Sequence, residues 1–200
     1  MTAWIPLSAL EPGFDANKAG STIDADGRET IPVAEGLSYV AHPPDGRVAV
    51  TELVDTTAGR TFRVTTELDR PLARQAFEGG EPSTDLIGSR VMYVYSAHHA
   101  YEHVYLNEHF YTWQCLRGPE RGLADTDPAT VHRVRDGIYV IGWREKVVPC
   151  AAVVAINLNE RRSHGMLFGL DDTGAGTVHF TFGAYATPLG RIQYPAGYHP

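Results

Sequence analysis

The sequence predicts an all-β protein, an antiparallel up-and-down barrel preceded by an N-terminal β-meander. Three observations carry this reading. Short runs rich in Val, Ile, Thr, Tyr and Phe recur with strand-like alternation. The 20 glycines and 13 prolines punctuate those runs instead of gathering in one linker. A single stretch, PLARQAFEGG at 71–80, reads as a short helix, closed by glycines suited to a C-cap.

Taken in order, residues 1–30 are rich in Gly, Ala, Asp and Pro without periodicity, and they read as a loosely ordered arm. Residues 31–84 form the meander, with strands expected at 36–42, 47–54 and 60–68 joined by the turn-like PPDG and DTTAG. The helix follows, and EPSTD at 81–85 reads as a linker. The barrel occupies 85–187. Its strands are expected at 89–96, 100–107, 109–116, 130–135, 138–145, 150–158, 163–170 and 176–186. All connections are short except a loop at 117–129, and DDTGAGT at 171–177 reads as a hairpin turn without the Lys and helix of a phosphate loop. Eight strands close around side chains plus one small ligand. Residues 188–200 are left as a tail.

Bulk composition narrows the partners. A formal charge of −7 with no run of Lys or Arg argues against nucleic acid or an anionic membrane. No stretch approaches the ~18 apolar residues of a membrane-spanning helix, and the first residues lack a basic, then apolar, secretory pattern. A cytoplasmic location is expected. Cys115 and Cys150 have no metal-type spacing, so both are expected as free thiols.

The chemistry-bearing pattern is an aromatic face. Alternation places Tyr93 with Tyr95, then Tyr101 with His103 and Tyr105, then Tyr111 with Trp113 and Cys115. A later strand aligns Tyr139, Ile141, Trp143 and Glu145. Ordinary cores avoid so many phenols, because each buried hydroxyl needs a partner. Ala151, Val153, Ala155 and Val178, Phe180, Phe182 are expected to form the opposite, aliphatic wall. Such a hollow suits a flat, partly polar molecule.

Within it, Glu145 shares a face with Trp143, and an inward carboxyl would have its pKa raised into the range of proton transfer. The alternative is a strand-end glutamate paired with Arg144 or Lys146 in solvent. Tyr93 and Tyr95 together can donate hydrogen bonds to a developing oxyanion. His98, His99, His103, His109 and His132 invite a metal, but nothing in their spacing makes three converge, and no metal is expected. Asp125 and Asp127 fall in the expected loop, where turn roles are common. Cys115 has no evident base and is expected to pack as a small hydrophobe.

The segment from Tyr101 to Cys115 (YEHVYLNEHFYTWQC), GPERGLADTD at 118–127 and WREKVVP at 143–149 resemble the C-terminal half of MoaF-family proteins over about 84–170. VAEGLSYV and the strands after it, roughly 31–70, resemble the end of that family's N-terminal half, without its usual opening strands. The resemblance implies a calycin (lipocalin-like) barrel. The same residues are similar to phenolic acid decarboxylases, which carry Tyr-x-Tyr, then Tyr-Glu and Asn, then Trp-x-Glu. Here these fall on Tyr93 and Tyr95, on Tyr101, Glu102 and Asn107, and on Trp143 and Glu145. In that family the tyrosines grip a substrate carboxylate, an arginine assists and the glutamate handles the proton. The arginine's place reads Gly122-Leu-Ala-Asp-Thr-Asp127, and carboxylates there would repel an acid substrate.

The expected function is therefore cofactor-independent acid/base chemistry of a lyase, isomerase or cyclase on a small aromatic or polyketide-like molecule. Tyr93, Tyr95 and Glu145 would be catalytic, with Tyr101, His103, Trp113, Tyr139, Trp143 and Asp125 holding the substrate. The rival readings are a non-catalytic binder of a hydrophobic metabolite and an accessory subunit of a biosynthetic pathway. A homodimer covering exposed strand edges is the expected assembly, if there is one.

Overall fold

The computed structural model describes residues 5–69, 72–146 and 150–200. Positions 1–4 of the arm, 70, the first position of the expected helix (71) and 147–149 of the WREKVVP stretch lie outside the described residues. No helix is long and apolar enough to cross a membrane.

The chain forms two antiparallel sheets. The first contains β1 (Thr22–Ile23), β2 (Glu29–Ala34), β3 (Leu37–Ala41), β4 (Val48–Asp55), β5 (Arg60–Glu67) and β6 (Arg74–Glu78), in sequence order. The second is built from β8 (Ser89–Val94), β9 (Ala100–Tyr105), β10 (Phe110–Arg117), β11 (Ala124–Arg135), β12 (Ile138–Arg144), β13 (Cys150–Asn157), β14 (Arg162–Leu170) and β15 (Thr177–Arg191). Each of these pairs with its neighbour in sequence, and β15 returns to β8, so the eight strands close into an up-and-down barrel. The short β7 (Glu81–Pro82) is appended to β11.

Alternation along the strands makes two cores. Inward residues such as Tyr93, Tyr111, Trp143 and Phe182 fill the barrel. Outward residues of β12 to β14, including Val140, Val153 and Phe168, pack against Ile31, Tyr39, Leu53 and Val64 of the first sheet. The meander thus covers one side of the barrel. Polar side chains stitch the layers: Tyr39 Oη donates to Val153 O at 2.8 Å, and Asn157 Nδ2 donates to Val33 O at 2.9 Å. At the sheet's end Arg135 grips Asp55 at 2.6 and 2.9 Å, holding that carboxyl well below the usual range.

Several local expectations are corrected. The helix at 71–80 is strand β6 over its described core. Residues such as Ala, Arg and Gln favour helix, but pairing with β5 overrides that weak preference. Gln75 donates to Ala152 O at 3.0 Å and Phe77 stacks on His132 at 4.6 Å, so a two-residue period pays off where a helix would not. Gly142 makes room for both, since a Cβ there would sit 2.6 Å from Gln75 and 2.8 Å from Phe77. Gly79 and Gly80, with φ of 76° and 84°, turn the chain rather than cap a helix.

The loop at 117–129 shrinks, because β11 begins at Ala124; Asp and Pro hide a strand that closes the barrel against β10. Residues 188–191 belong to β15, which leaves β14 and continues along β8. The linker at 81–85 supplies β7. Strand β2, absent from the expected meander, lies second in the sheet, between β1 and β3.

The arm is not loose either. After the helical turns Leu7–Leu10 and Glu11–Gly13, it runs across the barrel mouth, burying Leu7, Leu10 and Phe14 among the inward residues. The expected aliphatic wall is also shifted by one residue on β13. Cys150, Ala152, Val154 and Ile156 face inward, whereas Ala151, Val153 and Ala155 face the meander. Both faces of that strand are covered, so its sequence carries no alternation to read.

Candidate functional site

The barrel interior holds a small cavity of about 50 Å³. Tyr95, Tyr101, His103, Tyr111, Trp113, Trp143, Glu145, Glu120 and Leu167 line it, and Ile5, Leu7, Leu10 and Phe14 of the arm close it. Strand pairing sets the wall: Tyr111 lies opposite both Tyr105 and Asp127, and Trp113 opposite His103. The rings interlock, with Trp143 edge-on to His103 at 5.6 Å and tilted against Tyr111 at 5.3 Å.

Six of the nine expected residues therefore meet in one place: Tyr95, Tyr101, His103, Trp113, Trp143 and Glu145. Three do not. Tyr93 is buried, but its hydroxyl is spent on that of Tyr105 at 2.8 Å. Tyr139 turns inward elsewhere and donates to Asp85 at 3.3 Å. Asp125 stands at the rim, where it holds Lys146 at 2.8 Å. Tyr111, Glu120 and the arm residues line the cavity without being expected there, and Asp127, expected in a loop with a turn role, stands behind Trp113. Tyr111 shares the alternation of Trp113 and was legible. Leu7, Leu10 and Phe14 carry the i, i+3, i+7 spacing of an amphipathic turn, a signal available in the sequence. Glu120, in a turn between strands, offers none.

Glu145 follows the last residue of β12, and its backbone N–H donates to Cys150 O at 2.9 Å, fixing the strand end. The residue as a whole is half-buried, while its carboxyl sits among barrel atoms. Desolvation first, then the nearby Asp127 and Glu120, push its pKa up to about 8; hydrogen bonds from Trp143 (3.4 Å) and Cys150 only partly oppose this. Asp127, fully buried, accepts Trp113 Nε1 at 2.9 Å and is also raised by desolvation. Glu120 accepts the Tyr101 hydroxyl at 2.7 Å and is raised for the same reason. His103 is pushed down to about 3 by burial, leaving a neutral imidazole whose Nδ1 has no partner. Burial raises the phenols of Tyr95, Tyr101 and Tyr111, so all stay protonated.

The arrangement combines a carboxylic acid, neutral hydrogen-bonding groups and flat apolar surfaces in a site with little water. It can donate a proton and stabilise a developing oxygen anion. Carboxyl groups crowd one wall and, among the described residues, no cation lines the cavity, so a carboxylate ligand would be repelled. The histidines are dispersed: His99 packs on Phe14 at 5.6 Å and His132 stacks on Phe77 outside the barrel. Among the described residues, no three His, Cys, Asp or Glu side chains are grouped to hold a metal. Cys115 is buried with its pKa raised by desolvation, which disfavours a thiolate nucleophile.

Residues 80–192, the barrel with its appended β7, match the model of the MoaF C-terminal domain. The chain belongs to the MoaF family. A MoaF relative, "Protein MoaF" of Klebsiella aerogenes, is 43% identical over 110 residues. That alignment covers 54% of this chain and 42% of the relative, so the chain matches less than half of the relative's length. Among solved structures, a Burkholderia vietnamiensis protein provisionally described as a beta-lactamase is 12% identical with a TM-score of 0.45. It is covered over 96% of its length by 52% of this chain, a likeness too loose to carry an argument.

Proposed function

We propose that this MoaF-family barrel is a cofactor-independent enzyme acting on a small aromatic or conjugated molecule, with Glu145 as general acid. The supporting observation is the Glu145 carboxyl held protonated at neutral pH, with a pKa of about 8, against a wall of phenols and indoles. In this reading Tyr95 and Tyr111 orient a substrate oxygen, Glu145 delivers a proton to the neighbouring carbon or leaving group, and His103 contributes a neutral hydrogen bond. Trp113 and Trp143 sandwich the ring system. Tyr93 acts indirectly, by fixing Tyr105. Lyase, isomerase and cyclase chemistry all fit a single positioned proton donor; decarboxylation of a free cinnamic-type acid fits poorly, because Glu120 and Asp127 stand where a cation would be needed.

The test starts with a fluorescence screen of phenolic and polyketide-like compounds, since Trp113 and Trp143 both report occupancy. With a turned-over hit, Glu145→Gln should bind it nearly as well while kcat falls by about two to four orders of magnitude. Retained turnover would refute the assignment. A non-catalytic binder is the second reading, favoured by the small size of the cavity: about 50 Å³ leaves room for a water or two while the arm is in place. For a binder, a ligand would be released unchanged by wild type and variant alike.

A further inference from the structure

We infer that the ring of Phe14 sits in the subsite of the ligand's own aromatic ring, so that the arm Ile5–Phe14 is an internal competitor displaced when an aromatic molecule binds. The inference rests on the barrel interior being a ligand site and is independent of whether Glu145 is catalytic. Phe14 is enclosed by five rings, with centroids at 4.4 Å for Tyr95, 5.6 Å for His99 and for Tyr101, 5.9 Å for Phe180 and 6.0 Å for Phe182. These are the separations and tilted or edge-on approaches that aromatic pairs prefer. The cage is thus built for a ring, and the ring in it comes from the protein.

How the arm is held indicates which part moves. Among the described residues, its hydrogen bonds to the barrel begin at Phe14. Gly183 N donates to Phe14 O at 3.3 Å, Asn17 N to Tyr95 O at 3.0 Å, Asn17 Nδ2 to Val94 O at 2.9 Å, and Arg162 Nη2 to Asn17 O at 2.7 Å. Upstream, Leu7 and Leu10 hold by apolar contact, on a four-residue helical turn with no side-chain cap. The downstream seat is specific: a Cβ on Gly183 would lie 2.6 Å from Lys18 Cα and 2.9 Å from Asn17 O. The arm is therefore pinned by hydrogen bonds from Phe14 O onward, while before it the chain holds by packing alone, with Gly13 close against the His99 ring. Apolar packing that must also order some ten residues leaves a small net hold. Space agrees, because the residual cavity of about 50 Å³ is smaller than the roughly 150 Å³ that admits benzene. A ring enters only if Phe14 and its leucines leave.

Phenol is the probe. Tryptophan fluorescence titrations of the full chain should show phenol binding at least tenfold more tightly to Phe14→Ala than to wild type. Gly183→Val, which unseats the arm from outside the cavity, should act in the same direction. In wild type saturated with phenol, amide hydrogen exchange over residues 7–14 should quicken at least fivefold. If phenol fails to compete in wild type, binding confined to the variants supports the inference equally. Equal affinity in all three proteins, binding in none, or unchanged exchange in a phenol-saturated wild type would overturn it. Should either variant fail to fold, the remaining variant and the wild-type exchange decide. Glu145→Gln separates the two proposals: phenol should bind it as it binds wild type, so loss of turnover bears on the acid alone and loss of displacement on the arm alone.

Discussion

The two cores of this molecule are built from different chemistry. Between the sheets lie mostly aliphatic residues, among them Ile31, Leu53, Val64, Val140 and Val153, with a few rings such as Phe62 and Phe168, and the Tyr39 hydroxyl and Asn157 amide bond to backbone across the layer. Inside the barrel lie phenols, indoles, an imidazole and carboxyls, several with raised or lowered pKa. Burial of the first kind stabilises; burial of the second costs free energy unless every polar group finds a partner. Orphaned atoms occur in both, His103 Nδ1 in the barrel and Thr51 Oγ1 between the sheets, so what sets the barrel apart is its buried ionisable groups. On the proposed function, the costly interior serves binding and chemistry and the aliphatic layer serves adhesion.

Glu145→Gln should separate the cores most strongly. Beyond its effect on turnover, it should change how stability varies with pH. The folded Glu145 pKa of about 8 exceeds its ordinary value of 4.5, so its contribution is full below 4.5 and is lost as pH rises to about 8. Urea titrations should show wild type losing about 3–5 kcal/mol over that window on this account, and the variant losing far less. Next in size, Leu53→Ala in the aliphatic layer should cost about 2–5 kcal/mol without altering ligand affinity; a large affinity change would mean the cores are not separable. Arg135→Met strips Asp55 of its main partner near the surface and should cost about 1–3 kcal/mol. Because Asp55 is lowered, that contribution should be present at neutral pH and fade as pH falls below about 4, which the same titrations at pH 3 would check. Smallest, Gln75→Ala should cost about 1 kcal/mol by removing the bond from β6 to Ala152 O.

The contrast also explains what the sequence made legible. The barrel's aromatic strands alternate with solvent or the second layer, so the shared faces of Tyr101 with His103, and of Trp143 with Glu145, could be read directly. Strand β13, CAAVVAIN, is buried on both sides and gave no period, so its wall was placed one residue off. Strand β6 was hidden by helix-favouring residues, and β11 by Asp125, Asp127 and Pro128; in both, pairing with a neighbour outweighs local preference. The cavity's location followed from alternation. That Tyr93 would bond to Tyr105 depends on the fit of two neighbouring strands, and that Leu7, Leu10 and Phe14 would seal the mouth depends on a contact between distant segments: their helical spacing marks an apolar face but not what it covers.

Strand β13 is a party wall. Ala151, Val153 and Ala155 press on the meander while Cys150, Ala152 and Val154 look into the hollow, with the Cys150 thiol near enough to the Glu145 carboxyl to influence its protonation. Its small side chains leave no slack between the two rooms. In the proposed chemistry, a shift of the meander would reach the acid through this strand, so a segment outside the cavity would help set the proton's address.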